Sequence, residues 1–388
     1  MVNINKKLIG VYHLENIKDF LISINSLTPY FSLVAAYTAT VQIPGVSGAG
    51  TTSELRELTA TADVEILALG KAVCLHEGVP SNPSGAPGPS IITHASFKLM
   101  PEMPYLPVDA GLKIIPAVKS IVKLEGSIQA KTVSSGRALE SEAQATKLFY
   151  SGWKLGAKIG SECANKGRYL IIAETVPGGT TTALGLLLAL GINAEDRVSS
   201  SMPGNAHHLK LEAVKKGFQA LGKEKGAFAN TPLAGVAALG DTMQPATAGM
   251  ALGASIHCPV MLGGGTQMAA VVALAAALVK NGQVERNRIK PENIALVTTR
   301  WVSNDLTADL AGLGAEIEAK LGTFPVCYMS ANLDFSQSKY PGMRQYELGF
   351  VKEGVGAGAA ALAAMLTKNL EPDELLPYIE HSYEQLCL

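Results

Sequence analysis

Apolar residues in this chain fall in short unbroken runs, set between longer stretches of helical period. The runs Phe31–Thr40, Val64–Leu69, Leu112–Ile115, Tyr169–Ala173, Pro259–Leu262, Ile294–Thr298 and Pro325–Met329 predict strands. Most are apolar throughout rather than alternating, as strands covered on both faces require. Helical patterns lie between them at Ser53–Ala62, Ala138–Leu155, Thr180–Leu190, Ala206–Leu221, Thr266–Lys280 and Leu306–Lys320. Strands alternating with helices predict an α/β fold with a mainly parallel, doubly wound, Rossmann-like sheet. In such folds ligands sit at the carboxyl ends of the strands.

The ends read differently. Residues up to about Leu27 predict one amphipathic helix. The segment from Leu348 to Leu388 predicts two helices, divided at Asn369-Leu370-Glu371-Pro372. The expected organisation is a large α/β nucleotide-binding domain over 28–347 and a small helical domain built from 1–27 and 348–388. Loops are predicted at Pro44–Thr52 and Pro80–Pro89, and long ordered loops in compact enzymes tend to carry function.

Composition narrows the partners. The 388 residues carry a formal charge of −1 and 6% aromatics, with a mean hydropathy of +0.21 and a pI near 6.7. Without a polybasic tract or a stacking platform, neither duplex nor single-stranded nucleic acid fits as a partner. The five cysteines form no CxxC pair and the seven histidines no metal spacing, which predicts reduced thiols and no metal. The first twenty residues lack the apolar core of a signal peptide. The longest apolar stretch, Met268–Val279, is too short to span a bilayer. A cytoplasmic protein without a membrane segment is expected.

The candidate chemistry sits in glycine-rich turns. Glu174 ends a strand, and Pro177-Gly178-Gly179-Thr180-Thr181 opens the next helix. Leu262-Gly263-Gly264-Gly265-Thr266 repeats the arrangement. Near the C-terminus, Glu353-Gly354-Val355-Gly356 precedes an alanine-rich helix. Helix N-termini offer unpaired N–H groups and partial positive charge to an anion. Each such turn equally suits close packing or an ordinary cap. Neither a Walker A ending nor GxGxxG is present. A carboxylate at the mouth of an apolar pocket has a raised pKa and suits general base work. Arg300, Asp334, Ser336 and His94 are further residues expected to line the substrate pocket.

These residues resemble the nicotinate-nucleotide:dimethylbenzimidazole phosphoribosyltransferases of cobalamin nucleotide-loop assembly, above all their archaeal and cyanobacterial branch. The resemblance rests on IPGVSGAGTTSELRELTATADVE, PSGAPGPSIITHASF, SSGRAL, AETVPGGTTTALG, MLGGGTQMAAVVALA and SANLDFSQSKYPGMRQYELGFVKEGVGAGAAALA. It implies that Glu353 stands at the general base of a GEGTG motif. It also implies that ETVPGGTTT, with Glu174 in register, matches a mononucleotide-holding EMGIGNTT loop. Pro177 and Gly179 depart from that loop, and Thr299–Ser303 brings bulky Arg300 and Trp301 where the bacterial branch has GFIST. The resemblance further implies a homodimer, no cofactor, and two substrates, nicotinate mononucleotide and a nitrogenous base. A ribokinase-like sugar kinase is an alternative through Gly356-Ala357-Gly358, yet Ala359 stands where its aspartate base belongs. A third alternative is a nucleotide sensor that binds without turnover.

Overall fold

The computed structural model describes residues 2–3, 5–75 and 82–388. Pro80 and Ser81 of the second predicted loop lie outside the described residues. Among the described residues, nine strands form one sheet: β1 (Val2–Asn3), β2 (Leu8–Tyr12), β3 (Thr28–Ala36), β4 (Tyr105–Gly111), β5 (Val122–Lys123), β6 (Arg168–Thr175), β7 (Val260–Gly263), β8 (Ile294–Thr299) and β9 (Cys327–Ala331). Their order is β1-β2-β9-β8-β7-β6-β3-β4-β5. From β9 to β5 all pairs are parallel, whereas β1 and β2 run antiparallel at one edge. The α/β, mainly parallel reading therefore holds.

Alternation along the central strands divides the core into two layers. Leu170 and Ile172 of β6, with Leu262 and Leu296, face one cluster. It is completed by helices including Glu142–Asn165, Gly179–Ala189, Met243–Ser255 and Thr266–Lys280. Tyr169, Ile171 and Ala173, with Met261 and Val297, face the other cluster. There the helices Leu14–Ile24, Ser53–Leu69, Ser90–Leu99, Ala357–Lys368 and Pro372–Cys387 pack. Successive strand residues point to opposite faces, so these runs must be apolar throughout.

Several expectations are corrected. Residues 1–27 are not one helix: Leu8–Tyr12 pairs with Cys327–Ala331 as a sheet strand, and the helix is confined to Leu14–Ile24. The run LIGVY finds an open sheet edge, and pairing there satisfies its backbone. Val64–Leu69 is the end of the helix Ser53–Leu69, capped by the Thr52 hydroxyl on Leu55 N and closed by left-handed Gly70. Leu112–Ile115 follows β4 rather than forming a strand. The C-terminal break falls as expected. Asn369 is left-handed, and Glu371 with Glu374 forms a capping box ahead of Pro372.

The helices Glu142–Asn165 and Met243–Ser255 cross at backbone distance. A side chain at Gly156 would strike the Met250 carbonyl, and one at Gly249 the Phe149 carbonyl. Gly152, Gly160 and Gly253 meet the opposite backbone in the same way. Gly156→Val is expected to lower the thermal midpoint, through an overpacking cost of about 1–3 kcal/mol or more. Calorimetry giving a wild-type midpoint would mean that the helices can part freely.

Candidate active site

The chain turns from β3 outward to β4 and then returns to the other side of β3 as β6, continuing through β7 to β9. Strand order reverses between β3 and β6, and a crevice opens beyond their carboxyl ends. Its space is about 870 Å³ with the open mouth included. After β3 it is walled by Ser47–Gly50, after β6 by Thr175–Thr180, and after β7 by Gly265–Gln267.

Two helices, Gly179–Ala189 and Thr266–Lys280, aim their N-termini into this space. Gly178 has φ +81°, and a Cβ there would lie 2.8 Å from Val41 N. Only glycine allows the turn to close. Of the predicted phosphate-loop residues, Gly178, Gly179, Thr180, Gly265 and Gly354 line the crevice. Gly263, Gly264, Gly356 and Thr181 do not. Gly263 and Gly356 serve packing instead: side chains there would meet Ala359 Cβ at 2.9 Å and Ala173 Cβ at 2.5 Å. A side chain at Gly264 would reach Met268 and Glu174. Thr181 is fully buried and its hydroxyl has no partner.

The third turn is conformationally extreme. Val351, Lys352 and Val355 all have positive φ (65°, 58° and 56°), as do Gly354 and Gly356. Non-glycine residues in this region are strained and persist only where their surroundings over-determine them. Here Lys352, nearly fully buried, does so. Its Nζ donates to Asp305 Oδ2 (2.6 Å), Asn205 Oδ1 (2.7 Å) and the Met202 carbonyl (3.3 Å). Burial lowers the Lys352 pKa, against the attraction of Asp305. Burial works to raise Asp305, but hydrogen bonds from Lys352 and Asn205 outweigh it and hold that carboxyl low.

The turn delivers Glu353 to the crevice. Its Oε1 accepts from Gly354 N (3.1 Å) and Gly358 N (3.3 Å), and its Oε2 from the Thr298 hydroxyl (3.1 Å). Glu353 is part-buried and lines the crevice. Burial pushes its pKa up to about 7, although these donors favour the charged form. Val355 N donates to the Glu174 carbonyl at 2.8 Å, so the two glutamates are neighbours. Glu174 is 1% exposed, and its Oε2 is buried without a partner. Burial first, then the charges of Glu353 and Asp241, raise its pKa far above the usual carboxylate range. The pair leaves the cavity short of positive charge.

Four residues expected to line the substrate pocket lie outside this crevice, and two of them, Arg300 and Asp334, border a separate hollow. Arg300 pairs with Asp334 (3.0 Å) and Glu347 (2.7 Å). Ser336 caps the Asp334 turn through its backbone N–H. His94 is buried behind the crevice against the Ser382 hydroxyl (3.0 Å), where burial lowers its pKa to about 4. In their place the crevice gains Asp63, Asn82, Ser199–Ser201 and Lys352. The serine run stood in the sequence as an unused polar cluster. Asp63 falls in the gap between the predicted helix Ser53–Ala62 and the predicted strand Val64–Leu69, which are one helix. Among the described residues no three His, Cys, Asp or Glu side chains converge to hold a metal ion, and no helix is long and apolar enough to cross a membrane.

No family model matches the chain. It is similar to the UPF0284 protein of Gloeobacter violaceus, 43% identical over 92% of this chain and 88% of that one. The UPF0284 protein of Methanothermobacter thermautotrophicus is 37% identical over 90% of both chains. Two crystal structures of Thermus thermophilus proteins share the fold. A nicotinate-nucleotide-dimethylbenzimidazole phosphoribosyltransferase matches with TM-score 0.52 and 16% identity, over 90% of this chain and 86% of its own. A structure described as CobT matches with TM-score 0.53 and 15% identity, over 93% and 98%. At that identity the likeness is one of fold. Identity sustained along nine-tenths of the sequence is decisive, and the chain belongs to the UPF0284 family.

Proposed function

We propose that this protein is a phosphoribosyltransferase, moving the ribose 5-phosphate of nicotinate mononucleotide to a ring nitrogen of a benzimidazole-like or purine base. Nicotinate and an α-riboside phosphate, destined for the lower ligand of a cobalamin, are the products. The observation that carries this reading is the pairing of Glu353 with the unpartnered Glu174 beside two open helix N-termini. The fold shared with a phosphoribosyltransferase of that donor supports it. Thr180 and the N–H groups behind Gly178 and Gly265 would hold the 5′-phosphate. The C1′–nitrogen bond to the pyridinium breaks, with its electron pair passing to the departing nicotinate. The acceptor nitrogen closes on the opposite face of C1′, and Glu353 takes its N–H proton. An oxocarbenium-like ribose beside Glu174 supplies the positive charge that this cavity lacks. A homodimer is part of the same reading, and exposed Leu306 and Leu348 near the Lys352 clamp are apolar surface suited to it.

Incubation with nicotinate mononucleotide and a panel of bases, followed by mass spectrometry, should yield nicotinate and an α-riboside phosphate. Binding without product would favour the sensor alternative. Glu353→Gln should lower turnover about 10²–10⁴-fold while sparing mononucleotide affinity. A base must be unprotonated to act, so wild-type kcat/KM should rise with pH through a limb near the Glu353 value of about 7. That limb should vanish in the variant, and its persistence there would assign the proton to another group. Thr180→Val keeps shape and removes one hydroxyl from the proposed phosphate cradle. It should weaken mononucleotide binding about tenfold, and unchanged affinity by calorimetry would take Thr180 out of the site.

A further inference from the structure

We propose that Asp63 is a specificity-determining residue, selecting acceptor bases that carry an N–H or NH₂ donor on the edge away from the attacking nitrogen. This rests on the phosphoribosyl-transfer reading and names the acceptor class for it. At the end of β6, Glu174 and Thr175 point to opposite faces of the sheet. Glu174 lies on the side of the helices Gly179–Ala189 and Thr266–Lys280. Thr175 lies on the side of the helices Ser53–Leu69 and Ser90–Leu99, and its hydroxyl donates to Asp63 Oδ2 at 2.7 Å. The crevice thus straddles the sheet's edge. The β6 and β7 turns with Thr180 belong to the Glu174 side, and Asp63, joined to Thr175, belongs with Thr59, Gly88 and Pro89 to the other.

The second side is bounded by the turn that bears Glu353. Pro89 sits against Gly354, and the Thr93 hydroxyl donates to the Val355 carbonyl at 2.9 Å. A planar base that hands its proton to Glu353 from this side turns its far edge toward the helix Ser53–Leu69. Asp63 waits there, 3% exposed. Burial raises its pKa, and hydrogen bonding rather than any cation opposes that shift. The Ser90 hydroxyl approaches Asp63 as a second donor beside Thr175, and the buried Tyr105 hydroxyl in its neighbourhood has no partner. This wall has hydrogen-bonding capacity that the protein does not fill. An aspartate accepts from a ligand N–H in either protonation state. A base edge carrying methyl groups would leave that carboxyl desolvated with no more than its own hydroxyl neighbours as partners, and sites built to hydrogen-bond discriminate strongly against analogues that lack the group.

The test uses the full-length protein and three acceptors of one ring system: benzimidazole, 5,6-dimethylbenzimidazole and 5-aminobenzimidazole. Nicotinate release gives kcat/KM for each, and calorimetry gives base affinity independently of turnover. The amino compound should exceed the dimethyl compound at least about tenfold on both measures. Asp63→Leu should abolish or reverse that order. Asp63→Asn keeps an accepting oxygen and the side-chain volume, so it should retain the order in weakened form, and it serves should the leucine variant fail to fold. Equal use or equal binding of the amino and dimethyl compounds by the wild type would overturn the inference while leaving the transferase reading intact. Transfer to none of the three would overturn the transferase reading instead, and calorimetric preference would still decide whether Asp63 selects donor-bearing bases.

Discussion

The crevice depends on one constraint, the left-handed turn from Val351 to Gly356. Three of its four non-glycine residues, Val351, Lys352 and Val355, have positive φ, and such residues cost of order 1–3 kcal/mol each. The cost is offset by a buried knot that joins two strained segments. Gly204, Asn205 and Ala206 are also left-handed, and Asn205 is held by Lys352, by Ser200 N (2.6 Å) and through its own amide by Asp305 (2.9 Å). Val351 N reaches the Ser201 carbonyl at 3.0 Å. The serine wall and the Glu353 turn are therefore one mechanical unit. Beneath it Lys210, fully buried, donates to the carbonyls of Val198 and Ser199 and is lowered by burial to about 7. A buried polar network of this kind is stabilising only when every member is satisfied, and here the lysine ammonium groups find carbonyl, amide or carboxylate oxygens.

Charge on the open side is arranged the opposite way. Glu174, Glu353 and Asp63 line the crevice, and burial raises all three. Asp241, hydrogen-bonded to Thr182 behind them, rises to about 6. The lysines that would neutralise them are committed to the knot. An empty crevice therefore favours protonated carboxyls, and a ligand bearing positive charge there would shift those equilibria toward the ionised forms. The helix N-termini attract an anion at the other end. A site with separate preferences for an anion and a cation suits a ligand that carries both charges better than one that carries either alone.

Much of the architecture was legible because buried parallel strands cannot hide. Tyr169–Ala173 and Ile294–Thr298 are buried at every position, and so they lie near the centre of the sheet. The same property concealed helices. Met243–Ser255 is buried all round, leaving no 3.6-residue stripe to read. Val64–Leu69 had a strand's composition, and only its cap at Thr52 and its stop at Gly70 made it helical. Leu8–Tyr12 became a strand because β9 offered it an edge, which no local pattern records. Arg300 follows β8 where an anion-binding arginine could sit, but Asp334 and Glu347 from distant turns satisfy it first.

Glycine shows why the site was only partly readable. Gly178 and Gly356 sit at equivalent places, each left-handed and each opening a helix, yet one lines the crevice and the other faces Ala173. Sequence cannot separate them, since both absences of a side chain answer a close approach. Function nonetheless needs the packing glycines too. A side chain at Gly358 would collide with the Thr298 backbone, so its absence lets the helix Ala357–Lys368 rest on β8. That contact places the Thr298 hydroxyl and the Gly358 N–H together on Glu353. Packing glycines thus fix the carboxylate, while the glycines of the β6 and β7 turns leave room before it. Both kinds are needed for a rigid carboxylate to face an open crevice, because precision in a site comes from the elements behind it.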